Sequence, residues 1–232
     1  MNIREIFRSR QGEGRMTGVE SVFVRASGCH LRCVYCDTAY AFAPEGSEDL
    51  TVPEVVERVV QLGGGQPGES PEALRHVVLT GGEPMLQAEL VPLSEKLVEL
   101  GFHVTVETAG TDFQPVACQL MSISPKLSNA FGPRGRRPSC AATDDEVLRR
   151  LIAQYDYQIK LVVDRPEDLD EVAAFLDARP HLDRRRVLLM PQGTTVEELS
   201  ERAEWLEPYC RRQGLAFCPR KQIEWYGPRP GR

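Results

Sequence analysis

The sequence predicts an α/β fold: about six parallel strands with helices outside them, closed by right-handed crossovers into a partial barrel shorter than the eight-unit form. Three observations lead there. Apolar, β-rich runs alternate with amphipathic helical runs along most of the chain. Nearly every strand ends in Gly, Pro, Ser, Thr or a charge, at the edge where parallel α/β folds gather functional groups. The 232 residues show no composition break and no repeat of solenoid period. A single domain over 1–232 is expected, with a C-terminal extension from about 219 to 232.

The first predicted strand is SVFVRA (21–26). TVPEVVERVVQLG (51–63) is a helix, with Thr51 as N-cap and Glu54 placed for a capping box. GGGQPGESP (63–71) is a loop by composition. HVVLTGG (76–82) is a buried strand, and LVPLSEKLVELG (90–101) is a helix that ends at a glycine. HVTVETAG (103–110) and QLMSISPK (119–126) are the next strands. Helices at 144–155, 167–179 and 195–214 then alternate with strands YQIKLVVD (157–164) and RRVLLMPQG (185–193) and the short apolar piece LAFC (215–218).

Hydrophobic residues make up 41% and charged residues 27%, so the chain buries a core without disulfide staples. The net charge of −6 offers phosphates no broad cationic surface, which argues against nucleic-acid binding. No run approaches the roughly 20 apolar residues of a membrane span, and MNIREIFRSRQGEG lacks the apolar core of a signal peptide. A cytoplasmic protein is expected, in which thiols stay reduced.

That expectation gives SGCHLRCVYCDT (27–38) its meaning. Cys29, Cys33 and Cys36 form C-x3-C-x2-C directly after the first predicted strand. Structural zinc wants four N or S ligands, usually as two separated pairs, and His30 completes a Cys3His set only awkwardly. A four-iron cluster on three thiolates would instead keep one iron open for a small molecule. Cys118, Cys140, Cys210 and Cys218 show no short paired spacing and are expected to be buried thiols.

C-x3-C-x2-C resembles the hallmark of the radical S-adenosylmethionine (SAM) superfamily, and LTGGEP (79–84) resembles its glycine-rich element. An ordinary strand-to-helix turn would read the same way. The resemblance implies a [4Fe-4S] cluster on Cys29, Cys33 and Cys36, with SAM on the open iron. SAM would meet Gly82 and Glu83, Glu107 of VETAG, Ser124, Pro125 and Lys126 of SISPK, and Met190 and Gln192 of LLMPQG. A second layer, RQGEG (10–14), Arg25 and CDT, resembles the 7-carboxy-7-deazaguanine synthases from Gln11 to the LLMPQG strand. That family implies conversion of 6-carboxy-5,6,7,8-tetrahydropterin to 7-carboxy-7-deazaguanine and ammonia, through hydrogen abstraction by a 5′-deoxyadenosyl radical and ring contraction, on the route to queuosine. Gln11, Gly12, Glu13, Arg25 and Thr80 would bind the pterin, and Thr38 would hold Mg2+. Glu13 suits the donors of a pterin edge, and Arg25 suits the substrate carboxylate as a bidentate fork. An external reductant such as flavodoxin or ferredoxin and a homodimer are also implied. Ala109, polar in many relatives, receives no ligand role, and the tail RKQIEWYGPRPGR receives none. The 129–139 loop with Arg134, Arg136 and Arg137 reads as a flap or a solvated loop.

Two readings compete. A glycyl-radical-enzyme activase of the same superfamily would act on a protein backbone, and QGEG, Arg25 and Thr38 speak against it. A zinc or iron–sulfur interaction module would be no enzyme, and metal analysis separates it.

Overall fold

In a computed structural model the chain is described over residues 1–70, 72–132, 145–227, 229 and 231. Its first strand is one that the sequence reading passed over. β1 (Asn2–Arg10) forms an antiparallel hairpin with β2 (Glu20–Ala26), and Phe7 stacks on Phe23 with ring centroids 5.1 Å apart. β1 carries Arg4, Glu5, Arg8 and Arg10 and is mostly half-buried, so the apolar alternation that marks a covered strand is broken. The short β3 (Glu48–Asp49) covers the start of β1.

The barrel proper follows. After α1 (Val52–Gly63) come β4 (His76–Gly81), α2 (Leu90–Glu99), β5 (His103–Thr108) and β6 (Leu120–Ile123). The second half runs α3 (Asp145–Gln154), β7 (Tyr157–Val163), α4 (Asp168–Asp177), β8 (Val187–Pro191), α5 (Val196–Gln213), β9 (Ala216–Phe217) and α6 (Lys221–Tyr226). The sheet order is β3-β1-β2-β4-β5-β6-β7-β8-β9, with β2 and β4 to β9 all parallel. Among the described residues seven strands are therefore parallel where about six were expected, because LAFC pairs with β8. The expected helix boundaries hold to within two residues. Thr51 caps α1, its N–H donating to Glu54 Oε2 at 2.7 Å.

The period of two divides every strand. Val22, Val24, Val77, Leu79, Val104, Val106, Met121, Ile123, Ile159, Leu161, Val163, Val187 and Leu189 pack outward into one apolar core beneath the helices. The alternate residues face the barrel interior, and many are polar: Ser21, Arg25, His76, Thr80, Thr105, Glu107, Ser122, Gln158 and Lys160. Among the described residues no helix is long and apolar enough to cross a membrane.

Candidate active site at the carboxyl edge

A cavity of about 450 Å³ opens at the carboxyl ends of the parallel strands, within the size range of small-molecule sites. Cys29, Cys33 and Cys36 all line it. The thiol loop is held on several sides. Gly28 N donates to Ala41 O at 2.9 Å, Cys29 N to Phe42 O at 3.2 Å and Val34 N to Ala130 O at 2.8 Å. Arg32 is the one non-glycine among the described residues with positive φ, at 56°, and it turns the chain back between Cys29 and Cys33. Leu31, Ala109, Ala130 and Phe131 form a small apolar cluster against Cys29, Cys33 and Tyr35.

The glycine pair is explained by close approach. A Cβ on Gly81 would lie 2.3 Å from Ala26 O, and one on Gly82 would lie 2.2 Å from Gly28 O and 2.8 Å from Cys29 Cβ. Only glycines let the β4 end lie flat against the thiol loop.

These residues fit an open iron–sulfur cluster. The triplet is half-buried in a partly apolar shell, as cluster thiolates require. His30 is engaged elsewhere, Nε2 lying 3.1 Å from Thr111 Oγ1 and 3.8 Å from Asp112. Among the described residues no group of three or more Cys, His, Asp or Glu is arranged to hold a single ion. A cluster spreads its thiolates over separate irons and needs no such convergence. Burial pushes the Cys29 and Cys33 thiols above their ordinary range, so metal binding would release their protons.

The QGEG loop lines the same cavity and spans from β5 to β7. Gln11 Nε2 donates to Glu107 Oε1 on β5 at 3.1 Å, and Gln11 Oε1 accepts from Glu13 N at 3.0 Å. Gly14 N donates to Cys218 Sγ at 3.1 Å, and Arg15 N donates to Gln158 Oε1 on β7 at 2.9 Å. Glu13 then points inward. Its carboxylate accepts from Lys160 Nζ at 2.8 Å, Gln222 Nε2 at 2.6 Å and Arg220 Nε at 3.3 Å. Burial alone would raise the Glu13 carboxyl, but the Lys160 and Arg220 charges outweigh it and hold it well below the usual carboxylate range. Burial would likewise lower Lys160, and Glu13 and Glu107 overrule it, so the ammonium stays charged.

Most predicted site residues meet in this cavity: Gln11, Gly12, Glu13, Arg25, Thr38, Thr80, Gly82, Glu107, Ser124, Lys126, Met190 and Gln192. Two do not. Glu83 is 1% exposed and turned away from the cavity. Its carboxylate accepts from Thr108 Oγ1 and Ala109 N at 2.7 Å each and from Met85 N at 3.1 Å, which clamps the end of β4 to the end of β5. Burial raises its carboxyl. Pro125 is buried and does not line the cavity. Arg25 is already ion-paired within the protein. Its Nε donates to Glu5 Oε1 at 2.7 Å, Glu5 also accepts from Tyr40, and the guanidinium lies over the Phe7 ring. Thr80 donates to Glu107 Oε2 at 3.0 Å, and Thr38 Oγ1 lies 3.5 Å from Cys36 Sγ. Cys118 and Cys210 pack against or within the outer core, and Cys218 is buried beside the QGEG loop. Cys140, Arg134, Arg136 and Arg137 lie outside the described residues.

Sequence reasoning missed Lys160, Arg220 and Gln222. Lys160 had a signal: in YQIKLVV it sits at alternate spacing from Gln158 within an otherwise apolar strand, so it faces inward. Arg220 and Gln222 had none. The tail that received no role forms α6, and Gln222, Ile223, Gly227, Arg229 and Gly231 all line the cavity.

A parallel partial barrel with a thiol triplet after its first core strand is the architecture of the Radical SAM superfamily, whose family model matches residues 23–126. The 7-carboxy-7-deazaguanine synthase of Rhodopirellula baltica is 40% identical over 99% of this chain and 88% of its own. That of Halobacterium salinarum is 36% identical over 98% and 91%. The chain belongs to the radical SAM superfamily and, within it, to the 7-carboxy-7-deazaguanine synthase family. The crystal structure of QueE from Escherichia coli shares the fold, with a TM-score of 0.71 at 24% identity over 94% of this chain and 92% of that one.

Proposed function

We propose that this chain converts 6-carboxy-5,6,7,8-tetrahydropterin to 7-carboxy-7-deazaguanine and ammonia, as a radical SAM lyase of deazapurine biosynthesis. The observation that carries the reading is that Glu13, held by Lys160, Arg220 and Gln222, lines the same cavity as the thiol triplet. Cys29, Cys33 and Cys36 would hold the cluster, and Gly82, Glu107, Ser124, Lys126, Met190 and Gln192, which line the same cavity, would contact the cosubstrate. When bound, cluster and SAM supply a 5′-deoxyadenosyl radical under reduction.

The protein's part is orientation and charge. Glu13 is kept anionic, so its remaining lone pairs accept from the amino group and ring N–H of the pterin edge. Arg25 gives its Nε to Glu5, which leaves its terminal nitrogens for the substrate carboxylate. The Phe7–Phe23 stack and Tyr40 border that end of the cavity and keep it partly apolar. Thr38 offers one hard oxygen to Mg2+, an ion that takes few protein ligands and fills its sphere with water and substrate oxygens. An external electron donor such as flavodoxin or ferredoxin and a homodimer complete the proposal.

The test is an anaerobic assay with reductant, SAM and the carboxytetrahydropterin, run on wild type, Glu13→Gln and Arg25→Ala. Loss of a charge-assisted contact should weaken pterin binding roughly ten- to 150-fold. Both variants should still cleave SAM unproductively, so the ratio of 5′-deoxyadenosine to deazaguanine rises. Collapse of SAM binding with pterin binding intact would overturn the assignment.

A further inference from the structure

One side chain of the C-terminal segment joins three loops of the cavity. Arg220 is 7% exposed. Its Nη1 donates to Gly193 O at 2.6 Å, its Nε to Glu13 Oε1 at 3.3 Å and its Nη2 to Asp37 Oδ2. Gly193 follows Gln192 after β8, Glu13 belongs to the QGEG loop, and Asp37 follows Cys36 in the thiol loop. These loops carry the proposed cosubstrate, pterin and cluster contacts respectively.

We infer that Arg220 is a positioning residue that fixes the Glu13 carboxylate against the thiol loop, and so sets where the pterin lies relative to the cluster. The inference rests on the proposed function. Three further observations support it. The segment is seated on the QGEG loop: Lys221 N donates to Gly12 O at 3.0 Å, and a Cβ on Gly12 would lie 2.1 Å from Gln222 Oε1 and 2.6 Å from Gln222 N. Gly12 is thus needed for the tail to dock. Glu13 Oε1 lies between Gln222 and Arg220 while Oε2 meets Lys160, so Arg220 helps to choose its rotamer. Asp37 is nearly half exposed, and Arg220 is the ion-pair partner that ties it inward. The chemistry asks for arginine: a planar fork of five donors serves three acceptors at once, and an ammonium is a point charge on a flexible stem.

The experiment uses reconstituted wild type, Arg220→Gln and Arg220→Lys. Each is titrated anaerobically by calorimetry with 6-carboxy-5,6,7,8-tetrahydropterin and separately with SAM. The urea midpoint and the EPR spectrum of the reduced cluster are read on the same samples. Arg220→Gln should weaken pterin binding by about tenfold or more, the scale of a lost charge-assisted bond, while SAM affinity stays within about threefold. Its deoxyadenosine-to-product ratio should rise, and Arg220→Lys should recover only part of the loss. Pterin affinity equal to wild type in Arg220→Gln overturns the inference. So does a parallel loss of pterin and SAM affinity that tracks the urea midpoint, which marks a merely structural role. If Arg220→Gln does not fold, Asp37→Asn breaks one arm of the bridge. It should weaken pterin binding about two- to fivefold, the loss expected of a half-exposed pair, and no change overturns the inference. A wild-type protein that fails to bind the pterin overturns the proposed function itself, and the inference with it.

Discussion

Two polar clusters occupy the two ends of the same barrel interior, and they solve burial in opposite ways. At the amino end, Ser21 Oγ meets His76 Nδ1 at 2.6 Å, His76 Nε2 meets Thr105 Oγ1 at 2.8 Å, and the His103 ring stands edge-on at 5.0 Å. Burial, with His103 beside it, pushes His76 down to about 4, so this end is neutral and closed by hydrogen bonds. At the carboxyl end Glu13, Lys160 and Arg220 are largely enclosed yet remain ionised, because each charge has opposite charges in contact. The amino end serves stability. The carboxyl end holds desolvated charge next to a cavity, where an electrostatic contact to a ligand is worth most.

The comparison breaks hardest at the thiols. Cys33→Ala should remove the cluster absorbance and all turnover while the urea midpoint stays near wild type, since the main core lies beneath the helices. Full activity in that variant would defeat the radical reading. Next comes Lys160→Met, which removes the cation shared by Glu13 and Glu107 and should cost about 3–5 kcal/mol in urea unfolding together with pterin binding. A stability change under about 1 kcal/mol would show that Arg220 alone carries Glu13.

The amino end gives a pH signature instead. His76 has a folded pKa of about 4 against an ordinary 6.5, so the unfolded chain binds its proton first as pH falls. Stability from this group is full above about pH 6.5 and declines by about 3 kcal/mol in total as pH falls to about 4. His76→Gln should flatten that slope in urea midpoints measured across the window. Glu13, with its carboxyl held below 4.5, adds its own loss only at lower pH, so the two ends separate along the pH axis. The smallest expected effect is Thr38→Ala. On the proposed magnesium role it should reduce or remove stimulation by Mg2+ and leave the cluster spectrum unchanged, with unfolding free energy within about 0.5 kcal/mol of wild type. Undiminished magnesium dependence would make Thr38 a turn residue.

The sequence by itself determined what is local. The thiol triplet lies within eight residues, the glycine pair ends its own strand, and helices announce themselves through period and caps, so these were legible in SGCHLRCVYCDT, LTGGEP and TVPEVVE. The tertiary structure decided what depends on closure. Glu13 finds Lys160, Arg220 and Gln222 at separations of 147, 207 and 209 residues, and no window of sequence holds such a pairing. Glu83 shares its motif with Gly82, yet the twist at the strand end turns one residue to the cavity and the other into the β4–β5 clamp. β1 was missed for a related reason: at a half-exposed hairpin, charged residues take the places that a covered strand gives to apolar ones. A residue type states what chemistry is available. The partners that keep a buried charge ionised are supplied only when the barrel brings distant strands and the tail together.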